Sequence, residues 1–251
     1  MDQSFATDGH RWHVWRVAET GSTNDDLVAE ARRGAPSGLV LVADHQTAGR
    51  GRLGRRWDAP PGASLLVSVL VRPSAGAASR LHGATQAVGL SAQAACVDVA
   101  GFRPELKWPN DLLVGDRKLA GVLAEAVSGP EVAVVVGMGL NVAWPAEPTD
   151  LAISASSVAG RAISRDDLLD RYLDHLADRL AQWEGAPGDL LADYRAALAT
   201  IGRAVRVERA SGTIEGTAVG VAEGGQLVVV SDGERHEVSA ADVVHLRGSV
   251  T

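Results

Sequence analysis

Apolar and polar positions recur along this chain with two different periods, and the changes of period divide it into elements. Residues 21–34 (GSTNDDLVAEARRG) place a Ser/Thr cap before an acidic first turn, set Leu27, Val28 and Ala31 on one side and stop at Gly34, which predicts a helix. Two near-continuous Val/Leu runs follow, 39–46 (LVLVADHQ) and 63–72 (ASLLVSVLVR), and they predict buried strands. The stretch between them, TAGRGRLGRRWDAPPG, is therefore a loop. In 79–100, Leu81, Ala84, Val88, Ala92, Ala95 and Val99 recur at helical intervals before Gly101, with Gly83 and Gly89 as interruptions. ELKWP, then 112–127 with a turn near Gly115 and Asp116, then 131–142 (EVAVVVGMGLNV) read as strands joined by hairpins.

From Ser164 the period returns to that of a helix. SRDDLLDRYLDHLADRLAQW places Asp167 three residues after a Ser cap and repeats Leu169, Leu173, Leu176, Leu180 and Trp183. PGDLLADYRAALA, with a proline in its first turn, predicts another helix. After Gly202 come short strand-like runs, VRVER, TIEGTAVGVA, QLVVV, HEVS and VVHLR, separated by turn signals, which suit a small barrel leaning on the main body. The fold class is α+β: a mixed β-sheet with helices packed mainly on one face over residues 1–200, and a small β-barrel over residues 201–251.

Composition changes this picture in one place. The chain is 46% hydrophobic and 22% charged, ordinary globular usage, with a net charge of -7 that speaks against a generally cationic surface for nucleic acid or anionic lipid. No run approaches the length of a membrane span and the first residues lack a signal peptide's pattern, so a cytoplasmic protein is expected. The single cysteine, Cys96, sits in an apolar helical pattern and reads as a buried thiol. Against that acidic background, the loop TAGRGRLGRRW is a local exception, with arginines at 50, 52, 55 and 56 and glycines at 49, 51 and 54.

GRGRLG satisfies G-x-G-x-x-G, yet it leads into WDAPPG and a strand instead of opening a helix, and no acidic residue closes a second parallel strand. A Walker loop would need G-K-[ST], which is absent. A solvated basic turn would explain the charge but not the glycines. Glycines let backbone N–H groups approach an anion, and arginine forks donate paired hydrogen bonds to phosphate or carboxylate. The loop thus reads as one whose four unpaired, mutually repelling arginines make it costly to fix until a polyanion is bound. Nucleic acid and a small phosphorylated ligand fit it equally.

Four segments choose between them. GSTND (21–25), DHQTAGRGRLGRRW (44–57), KWPNDLLVGDRKLAG (107–121) and GMGLN (137–141) together resemble the biotin protein ligases, in that order. The resemblance implies a class II synthetase-like catalytic domain with an SH3-like C-terminal barrel. It implies an enzyme that condenses biotin with ATP to biotinyl-5′-AMP, releases pyrophosphate, and passes biotin to a lysine of a biotin carboxyl carrier domain of a biotin-dependent carboxylase. Mg²⁺ would come with ATP and keep several waters.

On this resemblance Ser22, Thr23 and Asn24 match the biotin-binding S-T-N, although the same residues are standard helix caps. Gln46 is placed to bond biotin, and Gly49, Arg50, Gly51 and Arg52 match the ligand-clasping core; Leu53 stands where other members carry a further basic residue. Lys118 and Arg52 are the catalytic candidates, because a carboxylate attacking an α-phosphate brings two anions together and fixed cations lower that barrier. Gly121 and Gly139 would leave space for biotin. Trp57, Asn110 and Asn141 join Arg50, Arg52 and Lys118 on the nucleotide side, Asn141 by reading the adenine edge. Trp57 and Trp108 also fit a role as anchors, and Asn110 and Asp111 a simple turn after Pro109. The pattern leaves open whether Ser68 and Leu123 line the pocket.

The seven histidines are scattered and no cluster has ligand spacing, so no protein-bound structural metal is expected. The lipoate- and octanoate-attaching enzymes of similar fold are the alternative within the same chemistry, and the arginine loop and K-W-P-N-D argue against them. A biotin-responsive nucleic-acid-binding regulator is the alternative from another class. About 20 residues precede the first motif, fewer than a helix-turn-helix needs, so no specific DNA binding is expected. Monomer and homodimer both remain compatible with the sequence.

Overall fold

The computed structural model describes residues 12–129, 131–209, 212–239 and 242–246. Its main sheet draws on β1 (His13–Thr20), β2 (Leu39–Gln46), β3 (Ser64–Val71), β4 (Glu105–Lys107), β5 (Asp111–Val114), β6 (Arg117–Val127) and β7 (Ala133–Asn141). The order is β1-β2-β3-β7-β6-β5-β4, with β1 parallel to β2 and the other ladders antiparallel. This is the expected mixed sheet. β1 was not foreseen: it is an edge strand whose Arg16 and Glu19 stay exposed, so HVWRVAET lacks the apolar continuity of its neighbours.

Side chains alternate across each strand, so the Val/Leu runs feed two separate cores. Val40, Val42, Leu65, Val67, Val69, Val134, Val136 and Met138 face one side, where they meet α3 (His82–Ala100), α5 (Arg165–Gly185) and α6 (Pro187–Ala197). Leu39, Leu41, Leu70, Val127, Ala133 and Val135 face the other, under Leu27 and Ala31 of α1 (Thr23–Arg32). Among the described residues, helices thus lie mainly on one face, with α1 alone on the second. The described residues also include the short helices α2 (Ala75–Ala78) and α4 (Ala155–Ala159), too brief for a period to reveal.

The glycines that interrupt α3 have a packing cause. A Cβ on Gly83 would lie 2.3 Å from Cδ1 of Trp183, and one on Gly89 3.3 Å from Leu106. Trp183 is buried and its indole N–H donates to the Arg80 carbonyl at 2.9 Å, which fixes the α5 end against the start of α3. At the other end of α5, the Ser164 hydroxyl accepts from the Asp167 backbone N–H at 3.1 Å, as the capping pattern predicts.

The C-terminal strands β8 (Ala204–Arg209), β9 (Gly212–Val221), β10 (Leu227–Ser231), β11 (Glu234–Val238) and β12 (Asp242–His245) form one antiparallel ladder, β11-β10-β9-β8-β12. Among the described residues no ladder joins its two ends. Val205, Val207, Leu227 and Val229 belong to the same apolar cluster as α3 and α5, so the second sheet is packed onto the main body. Trp108 ties the two: its backbone N–H donates to Thr200 Oγ1 and its indole N–H to the Gly225 carbonyl, both at 3.0 Å. His245 closes the junction, with Nε2 3.1 Å from Thr200 Oγ1 and Nδ1 3.4 Å from the Arg203 guanidinium. Burial, helped by Lys107 and Arg203 and opposed by Asp116, pushes the His245 imidazole down from 6.5 to about 4.

Two expectations follow from this packing. Helix propensity alone would reward Gly83→Ala by about 1 kcal/mol, but an added methyl against a buried indole costs about 1–3 kcal/mol. The variant should therefore have a lower urea midpoint than the parent, and a higher one would mean that the indole yields. For His245, the folded value lies below the unfolded one, so its contribution is whole above pH 6.5 and is lost as pH falls toward about 4. The Tm of the parent should decline more over that window than the Tm of His245→Gln.

Candidate active site

The face of the sheet that carries α1 is only partly covered by it. Beyond the start of α1 the inward positions on this face are Ser68 on β3, Gly137 and Gly139 on β7, and Gly121, Leu123 and Glu125 on β6. Small residues there leave a cavity of about 270 Å³. Ser22, Thr23 and Asn24, Gln46 at the end of β2, and Arg50, Gly51, Arg52 and Trp57 of the loop line it, together with Asn110, Asp111, Lys118, Gly121, Leu123 and Gly139. Glu208, Val243 and Val244 bring the second sheet to its wall. The structure therefore brings together most of the residues expected from the sequence, while Gly49 and Asn141 fall outside the lining.

Hydrogen bonds fix the polarity of one part of this lining. The Ser22 hydroxyl caps α1, accepting from Asp25 N–H at 3.4 Å. Thr23 donates twice to Gln46 Oε1, from its backbone N–H (2.8 Å) and its hydroxyl (3.0 Å). With Oε1 so occupied, the Gln46 amide NH₂ is the group left to donate to a ligand. The Ser68 hydroxyl, wholly buried, lies 2.7 Å from both Thr23 Oγ1 and Asn24 Oδ1, with one proton to donate between them, so Ser68 braces the site from beneath while Leu123 lines it. Asn24 Nδ2 donates to the Leu123 carbonyl (3.2 Å) and Glu125 Oε2 (2.8 Å), which sets its amide orientation.

The arginine loop departs from its expected free state. It folds back on itself: the Arg50 and Arg56 backbones pair, Gly51 N–H donates to the Arg55 carbonyl at 2.7 Å, and Trp57 N–H to Gly49 at 3.0 Å. The arginines are not an unpaired, self-repelling set. Arg50 reaches Glu125 Oε2 at 2.8 Å and also Asp25, Arg52 donates to Asn110 Oδ1 at 3.0 Å, and Arg56 donates to the Thr47 carbonyl at 3.0 Å. Carboxylates and carbonyls of the scaffold take the place of the expected anion. Asp25 and Glu125 were not singled out from the sequence. The signal for Glu125 was its period-two relation to Gly121 and Leu123 in GVLAE.

The glycines also have an internal explanation. A Cβ on Gly139 would meet Cε2 of Trp57 at 2.4 Å, one on Gly121 would meet Lys118 Nζ at 3.0 Å and Trp57 Cζ3 at 3.3 Å, and one on Gly49 would meet the Trp57 carbonyl at 2.4 Å. In this structure the room beside Gly121 and Gly139 is taken by the indole and by Lys118, and that beside Gly49 by the Trp57 backbone carbonyl. Lys118 Nζ is 2.8 Å from Asp111 Oδ1 and 5.5 Å from the Trp57 ring centroid, so carboxylate and π-face both hold the ammonium. Asn141 is buried, its Nδ2 donating to the carbonyls of Ile153 (3.2 Å) and Lys118 (3.4 Å). Its Nδ2 thus pins the Lys118 strand to residues 151–153, where Lys118 N–H also donates to Leu151 at 2.9 Å.

Behind the sheet, Cys96 is buried in α3 and burial pushes its thiol up to about 12, far from a thiolate nucleophile. Among the described residues, no group of three His, Cys, Asp or Glu side chains is placed to hold a metal ion. No helix of the described residues is long and apolar enough to cross a membrane.

Comparison with known proteins bears on this site. Residues 18–141 match the Biotin/lipoate A/B protein ligase family, and residues 200–246 the Biotin protein ligase C terminal domain. The chain is 42% identical to the biotin–[acetyl-CoA-carboxylase] ligase of Mycobacterium tuberculosis, over 93% of this chain and 90% of that protein. It is 32% identical to the enzyme of the same name from Paracoccus denitrificans, over 90% of this chain and 98% of that one. The solved structure of the biotin protein ligase from Aquifex aeolicus in complex with biotin and ATP superimposes with a TM-score of 0.80 at 25% identity, covering 93% of this chain and 99% of that chain.

The position of Glu125 between Asn24 and Arg50 makes it the joint that holds the loop to the sheet. Glu125→Ala should raise the initial rate of tryptic cleavage after Arg50, Arg52, Arg55 or Arg56 about two- to fivefold, as expected for losing a partly exposed ion pair worth roughly 0.5–1 kcal/mol. Unchanged cleavage, with an unchanged far-ultraviolet spectrum, would show that the loop is held by its own turn.

Proposed function

This chain belongs to the biotin protein ligase family, and from that membership we propose that it is an ATP-dependent ligase that joins biotin to a carrier protein. The observation that carries the reading is a single cavity whose lining combines neutral hydrogen-bonding groups with cations. Thr23, Asn24 and Gln46 supply the first, Arg52 and Lys118 the second. Such a lining suits a substrate with a neutral polar ring and a carboxylate that must meet a phosphate.

In the first step the biotin carboxylate oxygen attacks the α-phosphorus of ATP. The new O–P bond forms, the bond to the β-phosphate oxygen breaks, and pyrophosphate leaves. Lys118 and Arg52 act here as fixed cations offsetting the charge gathered on the phosphoryl oxygens. Asp111 and Asn110 hold these two side chains in place, through contacts of 2.8 and 3.0 Å. Ser22, Thr23, Asn24, Gln46, Gly51, Gly121 and Gly139 form the biotin side of the site, and Arg50, Arg52, Trp57, Asn110 and Lys118 the nucleotide side. Trp57 must move if ligand is to rest on Gly139. In the second step the ε-amine of a carrier lysine attacks the acyl carbon and AMP departs. Mg²⁺ enters with the ATP phosphates.

We assign residues 1–200 to catalysis and 201–251 to the smaller domain, which contributes Glu208, Val243 and Val244 to the cavity wall. The acceptor is a biotin carboxyl carrier domain of a biotin-dependent carboxylase. With a net charge of -7, the chain is not expected to bind specific DNA.

Incubation with biotin, ATP, magnesium and a carrier domain should add one biotin to the carrier lysine and release pyrophosphate. Carrier labelling that persists without ATP would overturn the adenylation reading. Lys118→Ala should keep the fold and lower kcat by roughly 10²–10³-fold, the scale for deleting one preorganised charge-stabilising group. Near-normal turnover would leave Lys118 as a surface lysine of the hairpin.

A further inference from the structure

Of the chain's 24 lysines and arginines only two are lysines, Lys107 and Lys118. Both line the cavity. Every such position outside it is arginine, although lysine is among the commonest residues of globular proteins. Solubility does not demand this, since either cation serves at an exposed position. Arg32, Arg171 and Arg235 are exposed and lie outside the cavity lining, on α1, α5 and β11.

Lysine and arginine differ in one respect that matters to this reaction. A lysine amine, in its deprotonated fraction, has a lone pair that attacks acyl carbon, whereas the guanidinium stays charged and offers none. Resting on the ligase reading above, we propose that the surface of this enzyme is composed to be inert toward the acyl adenylate it makes, with lysine confined to the cavity. The reaction avoided is simple acyl transfer. An ε-nitrogen forms a bond to the biotinyl carbon, the carbon–oxygen bond to phosphate breaks, AMP leaves with the electron pair, and the amine proton passes to solvent. Inside the cavity the Lys118 ammonium is paired with Asp111, so it has no lone pair to offer while that contact holds. Adenylate that escapes finds amines on its intended carrier and on other proteins, but outside the cavity the enzyme presents no lysine.

The test compares the full parent chain with a triple variant carrying Arg32→Lys, Arg171→Lys and Arg235→Lys. Each is incubated with biotin, ATP and magnesium, without carrier and in the presence of egg-white lysozyme as a lysine-bearing bystander. Intact mass and peptide mapping then read biotin on each protein. The expected result is biotin on lysozyme and on the introduced lysines, with at least about tenfold less on the parent, as the nucleophile inventory requires. A triple variant as free of biotin as the parent, beside labelled lysozyme, overturns the proposal. So does unlabelled lysozyme when the separate incubation with carrier shows ligation, because adenylate that never leaves the site needs no inert surface. A parallel arm with synthetic biotinyl-5′-AMP in place of biotin and ATP keeps this separate from the ligase reading. If labelling occurs only in that arm and the carrier also goes unmodified, it is the ligase reading that has failed.

Discussion

The main sheet buries both faces, yet among the described residues it has one short helix for the second of them, and the rest of the site follows from that shortage. A ten-residue helix such as α1 is about 15 Å long, while a strand of nine residues, such as β7, extends about 30 Å. Where Leu27 and Ala31 reach, the face is apolar and closed. Where they do not, the strands carry Gly137, Gly139 and Gly121, and Asn24, Trp57 and Lys118 stand over these glycines as walls of an opening. The cavity is thus the uncovered remainder of a sheet, and it is roofed by a loop instead of by a second helix.

That roof depends on opposite charge. Asp25 and Glu125 hold Arg50, Asn110 holds Arg52, and Asp111 holds Lys118. The dense positive loop is thus held by its own backbone turn and by local partners from the scaffold. Each of these contacts is partly exposed and individually modest, so a ligand with phosphate or carboxylate oxygens can compete for the same cations. Asn24 and Gln46 differ in kind: their amides are oriented by buried neighbours, and they present a fixed pattern to whatever enters.

The elements with strong periodicity were legible in the sequence. α1, α3, α5, β2, β3 and β7 lie close to where the apolar spacing placed them, because each is anchored by a buried face of its own. β1 escaped because an exposed edge strand has little apolar alternation to read. In the site, the motif residues could be named but not their partners. The sequence does not show that Gly139 and Gly121 accommodate an indole, that Asn141 spends its amide on two carbonyls, or that Glu125 meets Arg50 across 75 positions. Those facts depend on register between strands distant in sequence, and a slip of one residue would turn each of these side chains to the opposite face.

Trp108 carries a consequence for anyone who would engineer this chain. It belongs to the main body by sequence, yet both of its N–H groups are satisfied by acceptors at or beyond residue 200, Thr200 Oγ1 and the Gly225 carbonyl. A split reporter cut at the apparent boundary between the two sheets would leave the upstream fragment with an exposed indole and a donor lacking its acceptor, beside the segment that presents Asn110 and Asp111. Complementation schemes are better served by a cut in an exposed turn within the second sheet, such as Ser231–Gly233, which leaves Thr200 and Gly225 on the same fragment as the tryptophan they satisfy.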